Sequence, residues 1–567
     1  MLGLTIGQRD LFVATTALKV LLFPAYRSTD FEVRIYCRTT LGERLLTLNQ
    51  VHRNWLAITH NLPLKQWYYE TTSEWSEYTP SCLYSSALTP TALDYPPFFA
   101  YFSYLLSLPA KLLPEHYSQH LLQLSRVPVE GWAVVGYMRI SVLVTEVVLF
   151  WSLLRLSRSS NESSPAKIVA LAIAFHPGFL ILDAIHFQYN GFLFGLMIWS
   201  LAGAKEASRV LYRPLAHVSL QTLRDVSYKG LTPGVLQGRP LMCAAFFAAL
   251  LNFKHIYVYL APAWFIYLLR TYCIPPKTGL TLRLKPLVRI GTVVIGVTAV
   301  SLGPFLYLGQ GQQLVARLFP FTRGLMHAYW APNQVAKRFR LDLAVSSAGV
   351  ASTSRGLVGD TNFAVIPDIT PLHCFILTGL TQVVQLVPLW RRPSYKAFLQ
   401  AIAACGFSSF MFGWHVHEKA VMLVLLAAED WNHYQAFFVA SVSGIIGLFP
   451  LLFKAAETPV KMGYSFIWLV VVCGSLRSSV PKPTPTIPSQ LLDNLQTLYL
   501  STAPVLLLFT SVFHPVLSLS GHIPPSMEFL PLMLTSVWCS LGLWIAWGRL
   551  NWGMWRGGEA LPEVKIE

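Results

Sequence analysis

Long apolar runs recur along the chain and restrict it to helical membrane proteins. Each run reaches or approaches the length that a helix needs to cross a hydrocarbon core about 30 Å thick. The clearest are Trp132–Trp151, Ile168–Leu182, Ile290–Leu308, Pro371–Leu389, Phe437–Phe453, Leu498–Phe513 and Phe529–Trp547. Only 12% of the 567 residues are charged, and the mean hydropathy is +0.48. We therefore expect an all-α polytopic membrane protein in which 1–567 is a single integral-membrane domain.

The basic residues divide the loops between the two sides of the membrane. A net charge of +16 would suggest nucleic acid as the partner of a soluble protein, but here Lys and Arg fall in short loops between apolar runs. This positive-inside pattern places loops 153–167, 205–239, 270–289, 391–396 and 477–482 in the cytosol and argues against nucleic-acid binding. Loops 27–130, 185–190, 309–370 and 415–419 then face the other side. The alternation predicts about 14 helices with both termini cytosolic.

The N-terminal segment and the cysteines exclude other classes. Leu11–Tyr26 is apolar apart from Lys19 and lacks a small-residue cleavage site, so it is interpreted as a first membrane helix and not as a removable signal. The chain's 8 Cys are scattered without a CxxC pair, which argues against a zinc site or a disulfide framework.

Polar clusters lie at the ends of apolar runs, all on the non-cytosolic side. They are Asp30–Glu32, Leu93–Pro97, His186–Asn190 and His415–Lys419. An ionisable group in hydrocarbon costs roughly 2.5–3.5 kcal/mol on insertion scales, so these clusters indicate chemistry or transport. The first of these loops, 27–130, also carries Trp and Tyr residues suited to amphipathic helices at the membrane interface.

These polar motifs resemble those of a known enzyme family. Ser28–Val33, His52–Trp55, Trp67–Glu70 and Leu93–Pro97 are similar to the first luminal loop of endoplasmic-reticulum glucosyltransferases that use dolichyl phosphate glucose and have the GT-C fold. The likeness continues through Ile185–Gly191, Phe253–Tyr257, Arg317–Phe321 and Gly413–Lys419. It implies a multi-pass enzyme of the endoplasmic-reticulum membrane, with a luminal active site, no cofactor beyond the donor substrate, and a monomeric state. A dolichyl-pyrophosphate-linked oligosaccharide is the implied acceptor.

Two branches of this family remain candidates, which add the first and the second α-1,3-linked glucose to that oligosaccharide. The stretch Arg323–Asn333, with His327, Tyr329 and Trp330, looks like the second-glucose branch, and so does His52–Leu56. We therefore expect transfer to the monoglucosylated acceptor, with the first-glucose activity as the alternative. A lipid or sugar transporter is the alternative of another class, although the chain shows no internal repeat.

The polar residues suit transfer from a glycosyl phosphate. The leaving phosphate is already anionic, so no acid is needed to protonate it. One carboxylate must take the acceptor's proton, and cations must hold the phosphate. A single displacement inverts the anomeric centre, and Asp30 matches the family's catalytic aspartate. The candidate donor- and acceptor-binding residues are Glu32, His52, Arg53, Trp55, Asp94, Tyr95, His186, Gln188, Tyr189, Lys254, His255, Arg323, His327, Tyr329, Trp330, His415, His417, Glu418 and Lys419.

Structural alternatives stand beside these roles. Asp94 could simply form a turn before Tyr95, and His186 and Gln188 could be satisfied polar groups in a short loop. His415 and His417 are two residues apart, which places them on different helix faces, unlike the zinc-binding pairs spaced by four. We therefore expect no metal, and either phosphate contact or a structural ion pair.

Inserted segments interrupt the family pattern. Residues 33–50 separate Asp30 and Glu32 from His52, and residues 76–92 separate Trp75 from Asp94. Both can be encoded with intron start and end signals, and 218–237 is a weaker third case. We interpret 33–50 and 76–92 as translated retained introns that are absent from the working protein. Since a shift of about 1 Å can cost about 100-fold in rate, their presence is expected to weaken or abolish activity.

Overall fold

The computed structural model describes residues 6–22, 34–39, 42–47, 51–70, 93–125, 129, 131–158, 165–211, 233–274, 281–319, 370–414, 420–423, 434–452, 455–479, 487–523 and 530–556. Its first helix, α1, spans Ile6–Leu21 and is followed by a hairpin of β1 (Arg34–Thr39) and β2 (Gly42–Thr47). The strands pair antiparallel, with Arg34 opposite Thr47 and Thr39 opposite Gly42. This hairpin lies inside the segment 33–50, whereas 76–92 lies outside the described residues.

The other described elements are helical. In the first half they are α2 (Val51–Asn61), α3 (Pro97–Lys111), α4 (Glu115–Leu122), α5 (Trp132–Thr145), α6 (Val147–Arg158), α7 (Pro165–Ala174), α8 (Asn190–Leu211), α9 (Pro233–Phe253) and α10 (Ala261–Leu268). In the second half they are α11 (Leu284–Tyr307), α12 (Gly311–Leu318), α13 (Pro371–Arg391), α14 (Tyr395–Phe412), α15 (Tyr434–Leu448), α16 (Thr458–Ser479), α17 (Ile487–Ser501), α18 (Ala503–Leu508), α19 (His514–Leu519) and α20 (Leu530–Arg556).

Short irregular turns connect some of these helices. There are 3₁₀ segments at Leu64–Gln66, His255–Leu260, Phe449–Leu451 and Ala455–Glu457. A helical turn at Pro177–Phe179 leads into a π-helical segment at Leu180–Ile185, and further π-helical segments lie at Leu269–Cys273 and Phe509–Phe513. The predicted helical class is thus confirmed for the described residues, with the hairpin as its exception.

Among the described residues, 5 helices are long and apolar enough to cross a membrane: Trp132–Leu156, Leu284–Tyr307, Pro371–Arg391, Gln490–Leu519 and Leu530–Trp555. Shorter apolar helices occur at Val169–Ile185, Arg239–Phe253, Gln435–Leu451 and Thr458–Val472. Only 11% of the most apolar part of Leu284–Tyr307 is buried within the protein, which leaves an apolar surface of the kind that lipid covers. The chain is a multi-pass membrane protein, and the number of about 14 helices stays a prediction.

The largest core joins the membrane helices. α8 packs against both α6 and α9, α13 against α14, and α15 against α20. Trp264 stacks on Phe247 with ring centroids 4.1 Å apart, and Tyr267 stacks on Phe398 at the same distance. Flat aromatic contacts of this kind bury large apolar areas and hold the helices at fixed separations.

A second core attaches the long loop 27–130 to the membrane helices. α2 packs on α3 and α4, and their buried side chains include Trp55 and Phe99. The same core contains Phe305 from the end of α11 and Leu314 from α12. The loop is therefore fixed to the rest of the protein by a continuous apolar contact, and not only by its two ends.

Hydrogen bonds reinforce this attachment. The side chain of Gln310 donates to the carbonyl of Lys65 at 2.7 Å. Gln313 and Arg317 both donate to the carbonyl of Tyr68, at 2.9 and 3.1 Å. Side chains from α12 and from the residue before it thus satisfy backbone acceptors within and just after the 3₁₀ turn Leu64–Gln66, where no helix continues.

Candidate active site

Several of the predicted site residues meet where α2, α3 and the loop before α8 come together. The His52 ring lies 5.5 Å from Tyr189 and 6.5 Å from Tyr95, measured between centroids. Tyr95 in turn lies 5.1 Å from Trp55 and 6.5 Å from His255. Motifs that are far apart in the sequence therefore form one aromatic cluster, which could bind a sugar or a prenyl chain.

Lys254 supplies a cation at the edge of this cluster. Its Nζ lies 5.1 Å from the centre of the Tyr95 ring and donates to Asn190 Oδ1 at 3.2 Å. Burial lowers the pKa of Lys254 to about 8, and the negative charges of Asp183 and Asp94 oppose this shift. A largely charged ammonium group at neutral pH is a suitable partner for a phosphate.

Asp183 belongs to the same network, although the sequence reasoning missed it. Its side chain is 1% exposed, and it accepts hydrogen bonds from Asn190 Nδ2 at 2.9 Å and from the Gly191 N–H at 2.5 Å. Asn190 Nδ2 also donates to Gln188 Oε1 at 3.0 Å. Asp183 therefore orients Asn190, and Asn190 holds Lys254. The sequence signal for Asp183 was an acid directly after an apolar run, the same feature that marked the polar clusters found in the sequence.

The backbone of the loop 186–189 makes this geometry possible. Phe187 has a φ of 55°, in the left-handed region that a bulky residue adopts at a cost on the order of 1–3 kcal/mol. Its ring is buried, 5.1 Å from the guanidinium carbon of Arg139. The Tyr189 hydroxyl lies 2.9 Å from Ser141 Oγ. Helix α5 thus holds a strained turn in place, and the buried His186 lies next to it.

The sequence reasoning also missed a buried ion pair. Lys19 of α1 donates to Glu146 Oε1, and the side chains are 7% and 2% exposed. A methyl group placed on Gly191 would lie 3.0 Å from Glu146 Cγ and 3.2 Å from Asp183 Oδ2. The two acids therefore flank one glycine. The sequence signal for both residues was a charge inside an apolar segment: Lys19 lies in Leu11–Tyr26, and Glu146 lies in Trp132–Trp151.

Arg53 has a different setting from the one expected of a phosphate ligand. The side chain is 1% exposed, and its Nη1 donates to the carbonyl of Gln123 at 2.6 Å. Burial lowers the pKa of Arg53 to about 10. These contacts tie α2 to the end of α4, so they support a structural role, and contact with substrate stays a prediction.

Asp94 lies near the cluster and is partly exposed. The next residue, Tyr95, is fixed by a hydrogen bond of 2.7 Å from the Tyr68 hydroxyl to its carbonyl. The turn and acceptor-binding roles of Asp94 both stay predictions.

The remaining predicted residues lie outside the described residues. These are Asp30, Glu32, Arg323, His327, Tyr329, Trp330, His415, His417, Glu418 and Lys419. Within the described ranges there is no group of three or more His, Cys, Asp or Glu side chains that could hold a metal ion.

Comparison with known proteins places these features in context. Residues 47–550 match the model of the ALG6, ALG8 glycosyltransferase family. A Gibberella zeae protein named dolichyl pyrophosphate Glc1Man9GlcNAc2 alpha-1,3-glucosyltransferase is 40% identical, covering 96% of this chain and 97% of its own length. Proteins of the same name from Neurospora crassa and Schizosaccharomyces pombe are 39% and 35% identical, covering 94% and 95% of this chain and 96% of each relative.

Among solved structures, the apo oligosaccharyltransferase of Archaeoglobus fulgidus is similar with a TM-score of 0.38 and 12% identity, covering 86% of this chain. The chain spans 59% of the length of that oligosaccharyltransferase.

Proposed function

Because this chain belongs to the ALG6, ALG8 glycosyltransferase family, we propose that it transfers glucose from dolichyl phosphate glucose to Glc1Man9GlcNAc2-pyrophosphate-dolichol in α-1,3 linkage. The observation that carries the proposal is 40% identity, over 96% of this chain, to a relative whose name states that acceptor and that linkage. The stretch Arg323–Asn333, which resembles the second-glucose branch, supports the same choice from the sequence.

The reaction needs a base, a cation for the phosphate and a surface for the sugar and lipid. Asp30 is the proposed base, which takes the proton of the acceptor hydroxyl as its oxygen attacks the anomeric carbon of glucose. The bond to the phosphate oxygen breaks in the same step, and dolichyl phosphate leaves as an anion. One displacement inverts the anomeric configuration, so a β-linked donor gives an α-linked product.

Lys254 is the described cation best suited to the departing phosphate. It borders the aromatic cluster of His52, Trp55, Tyr95 and Tyr189, and Asn190 fixes its ammonium group. Negative charge grows on the phosphate as the bond breaks, so a fixed cation stabilises the transition state more than the ground state. The aromatic faces beside it offer apolar contact to the sugar ring or the first isoprene units.

The proposal extends to location and architecture. We place the protein in the endoplasmic-reticulum membrane with the loop 27–130 and Asp30 in the lumen, in agreement with the basic loops on the opposite side. A GT-C fold of about 14 membrane helices is part of this proposal. It is supported by the helical architecture and by the interface helices α2, α3 and α4 in the first long loop.

A transfer assay tests the proposal directly. Membranes containing the full chain, and the form without 33–50 and 76–92, are incubated with dolichyl phosphate glucose and acceptors bearing zero or one glucose. We expect product from the monoglucosylated acceptor, with the new glucose α-1,3-linked. Product from the glucose-free acceptor alone would assign the first-glucose activity, and no product from either form with either acceptor would refute the proposal.

A further inference from the structure

We propose that Arg139 and Glu146 form a clamp that holds the end of helix α1 against the loop 183–191 and thereby positions Lys254, which this loop fixes through Asn190. The inference rests on the proposed function, since it concerns how the cation for the departing phosphate is placed. Arg139 and Glu146 are seven residues apart on the membrane span Trp132–Leu156, and residues two turns apart lie on nearly the same helix face.

The first side of the clamp grips α1. Arg139 Nη1 donates to the carbonyl of Leu22 at 3.2 Å, one of the acceptors that the end of a helix leaves unsatisfied. One turn earlier, Lys19 forms its ion pair with Glu146. The end of α1 is thus held at its backbone and at a side chain.

The second side of the clamp contacts the loop 183–191. The Arg139 guanidinium lies over the ring of Phe187, at 5.1 Å, and Ser141 on the same span contacts the Tyr189 hydroxyl at 2.9 Å. Glu146 packs so closely on Gly191 that an added methyl group would lie 3.1 Å from its Oε1. The same span therefore touches both the end of α1 and the loop that fixes Lys254 through Asn190.

Burial makes this arrangement rigid. Arg139 and Glu146 are each 2% exposed, and Lys19 is 6% exposed. In a medium of low polarity a buried pair holds its geometry, because separating the charges leaves each without compensation. Catalytic groups must lie close to their productive positions, and an error of about 1 Å costs about 100-fold in rate. The clamp residues are positioning residues and do not touch the reacting atoms.

The test separates positioning from simple stabilisation. Removing one charge, as in Glu146→Gln or Lys19→Met, leaves the other unpaired and lowers the thermal midpoint in detergent. The double variant Lys19→Met/Glu146→Gln removes both charges, so stability recovers, but nothing then links the end of α1 to the span at that point. We expect its kcat to stay about 100-fold below the parent with the KM for donor unchanged. A purely structural pair predicts that kcat recovers together with stability, and that result would overturn the inference.

Two further variants sharpen the experiment. Arg139→Lys keeps a positive donor for Leu22 and is expected to retain more kcat than Arg139→Gln; equal loss in both would contradict the clamp. Arg155, on the same span, pairs with Glu206 of α8 at 2.9 Å. Arg155→Gln is therefore the matched control and should leave kcat unchanged.

The parent is the full chain, or the form without 33–50 and 76–92 if only that form transfers glucose. An inactive parent refutes the proposed function, whereas an active parent with an equally fast neutral double variant refutes the clamp alone.

Discussion

Lys254 Nζ donates to Asn190 Oδ1 at 3.2 Å, and this contact joins two motifs that lie far apart in the sequence. Asn190 also donates to Asp183 at 2.9 Å, so the ammonium group is fixed through an amide to a buried carboxylate. The amide accepts from the cation and donates to the anion, which satisfies both without placing them in direct contact. The ammonium group therefore keeps donors for a substrate, because Asn190 uses only one of its three.

Replacing Lys254 with Met removes the cation that we assign to the donor phosphate. A hydrogen bond to a charged group contributes about 1.5–3 kcal/mol, so kcat/KM for dolichyl phosphate glucose is expected to fall about 10- to 100-fold. Steady-state kinetics in detergent, with varied donor concentration, measures this. Lys111→Met is the control, since Lys111 is exposed at the end of α3, and it should leave the kinetics unchanged. Equal activity in Lys254→Met and the parent would remove Lys254 from the phosphate site.

Activity should decline at alkaline pH, because Lys254 then loses the positive charge that we assign to the donor phosphate. Burial lowers the pKa of Lys254 to about 8, so the side chain is mainly protonated below that pH and loses its charge as the pH rises through it. We expect kcat/KM for the donor to fall above about pH 8. In Lys254→Arg the charge persists, because a guanidinium stays protonated throughout this range. The decline should therefore move to higher pH in that variant, and an identical profile would exclude Lys254 as its cause.

Gly191 allows Asp183 and Glu146 to approach the start of α8. In Gly191→Ala the added methyl group would lie 3.0–3.2 Å from their side-chain atoms, so these must shift. Overpacking of this kind typically costs about 1–3 kcal/mol, and we expect a lower thermal midpoint. Gly136→Ala is the matched control, because a methyl group there has nothing within 4 Å and alanine favours a helix by up to about 1 kcal/mol. A midpoint of Gly191→Ala at or above that of the control would contradict this packing.

The sequence predicts the membrane class and the family well, because both depend on long patterns. The helical architecture confirms the first, and the match over residues 47–550 confirms the second. The structure brings His52, Tyr95, Tyr189, Lys254 and His255 together, and their roles in binding stay predictions. Which atoms meet within this cluster could not be predicted, because that depends on how the helices pack in three dimensions.

The missed residues show where sequence reasoning stops. Asp183 and Glu146 each lie in or beside an apolar run, so their charges were visible, but their partners Asn190 and Lys19 lie on other elements. Arg53 shows the opposite case. It was expected to contact phosphate, and only the fold reveals that it donates to Gln123 and ties two helices together.

Asp30→Asn tests the proposed base. An amide has nearly the same shape but cannot accept the acceptor's proton, and general base catalysis contributes about 100- to 10,000-fold. We expect kcat to fall by that factor while donor binding persists, measured by single-turnover transfer and by donor protection against heat. Glu115→Gln is the control, since Glu115 is an exposed acid in the first turn of α4 with no assigned role, and it should retain the parental activity. Parental kcat in Asp30→Asn would mean that another group takes the proton.

Removing residues 33–50 and 76–92 tests whether they belong to the working protein. The family match begins at Thr47, inside the first segment, so Asp30 lies beyond an interruption that also contains the hairpin Arg34–Thr47. Deletion would bring Asp30 and Glu32 directly before His52, within reach of the cluster around Tyr95. We expect transfer to the monoglucosylated acceptor to rise at least about 100-fold relative to the full chain. Deleting 218–232, which precedes α9, serves as the control and should change the rate little, since this loop is predicted to lie across the membrane from the base. If the full chain is as active as the double deletion, and the transcript reads through both segments without interruption, the segments are part of the enzyme and the retained-intron interpretation is wrong.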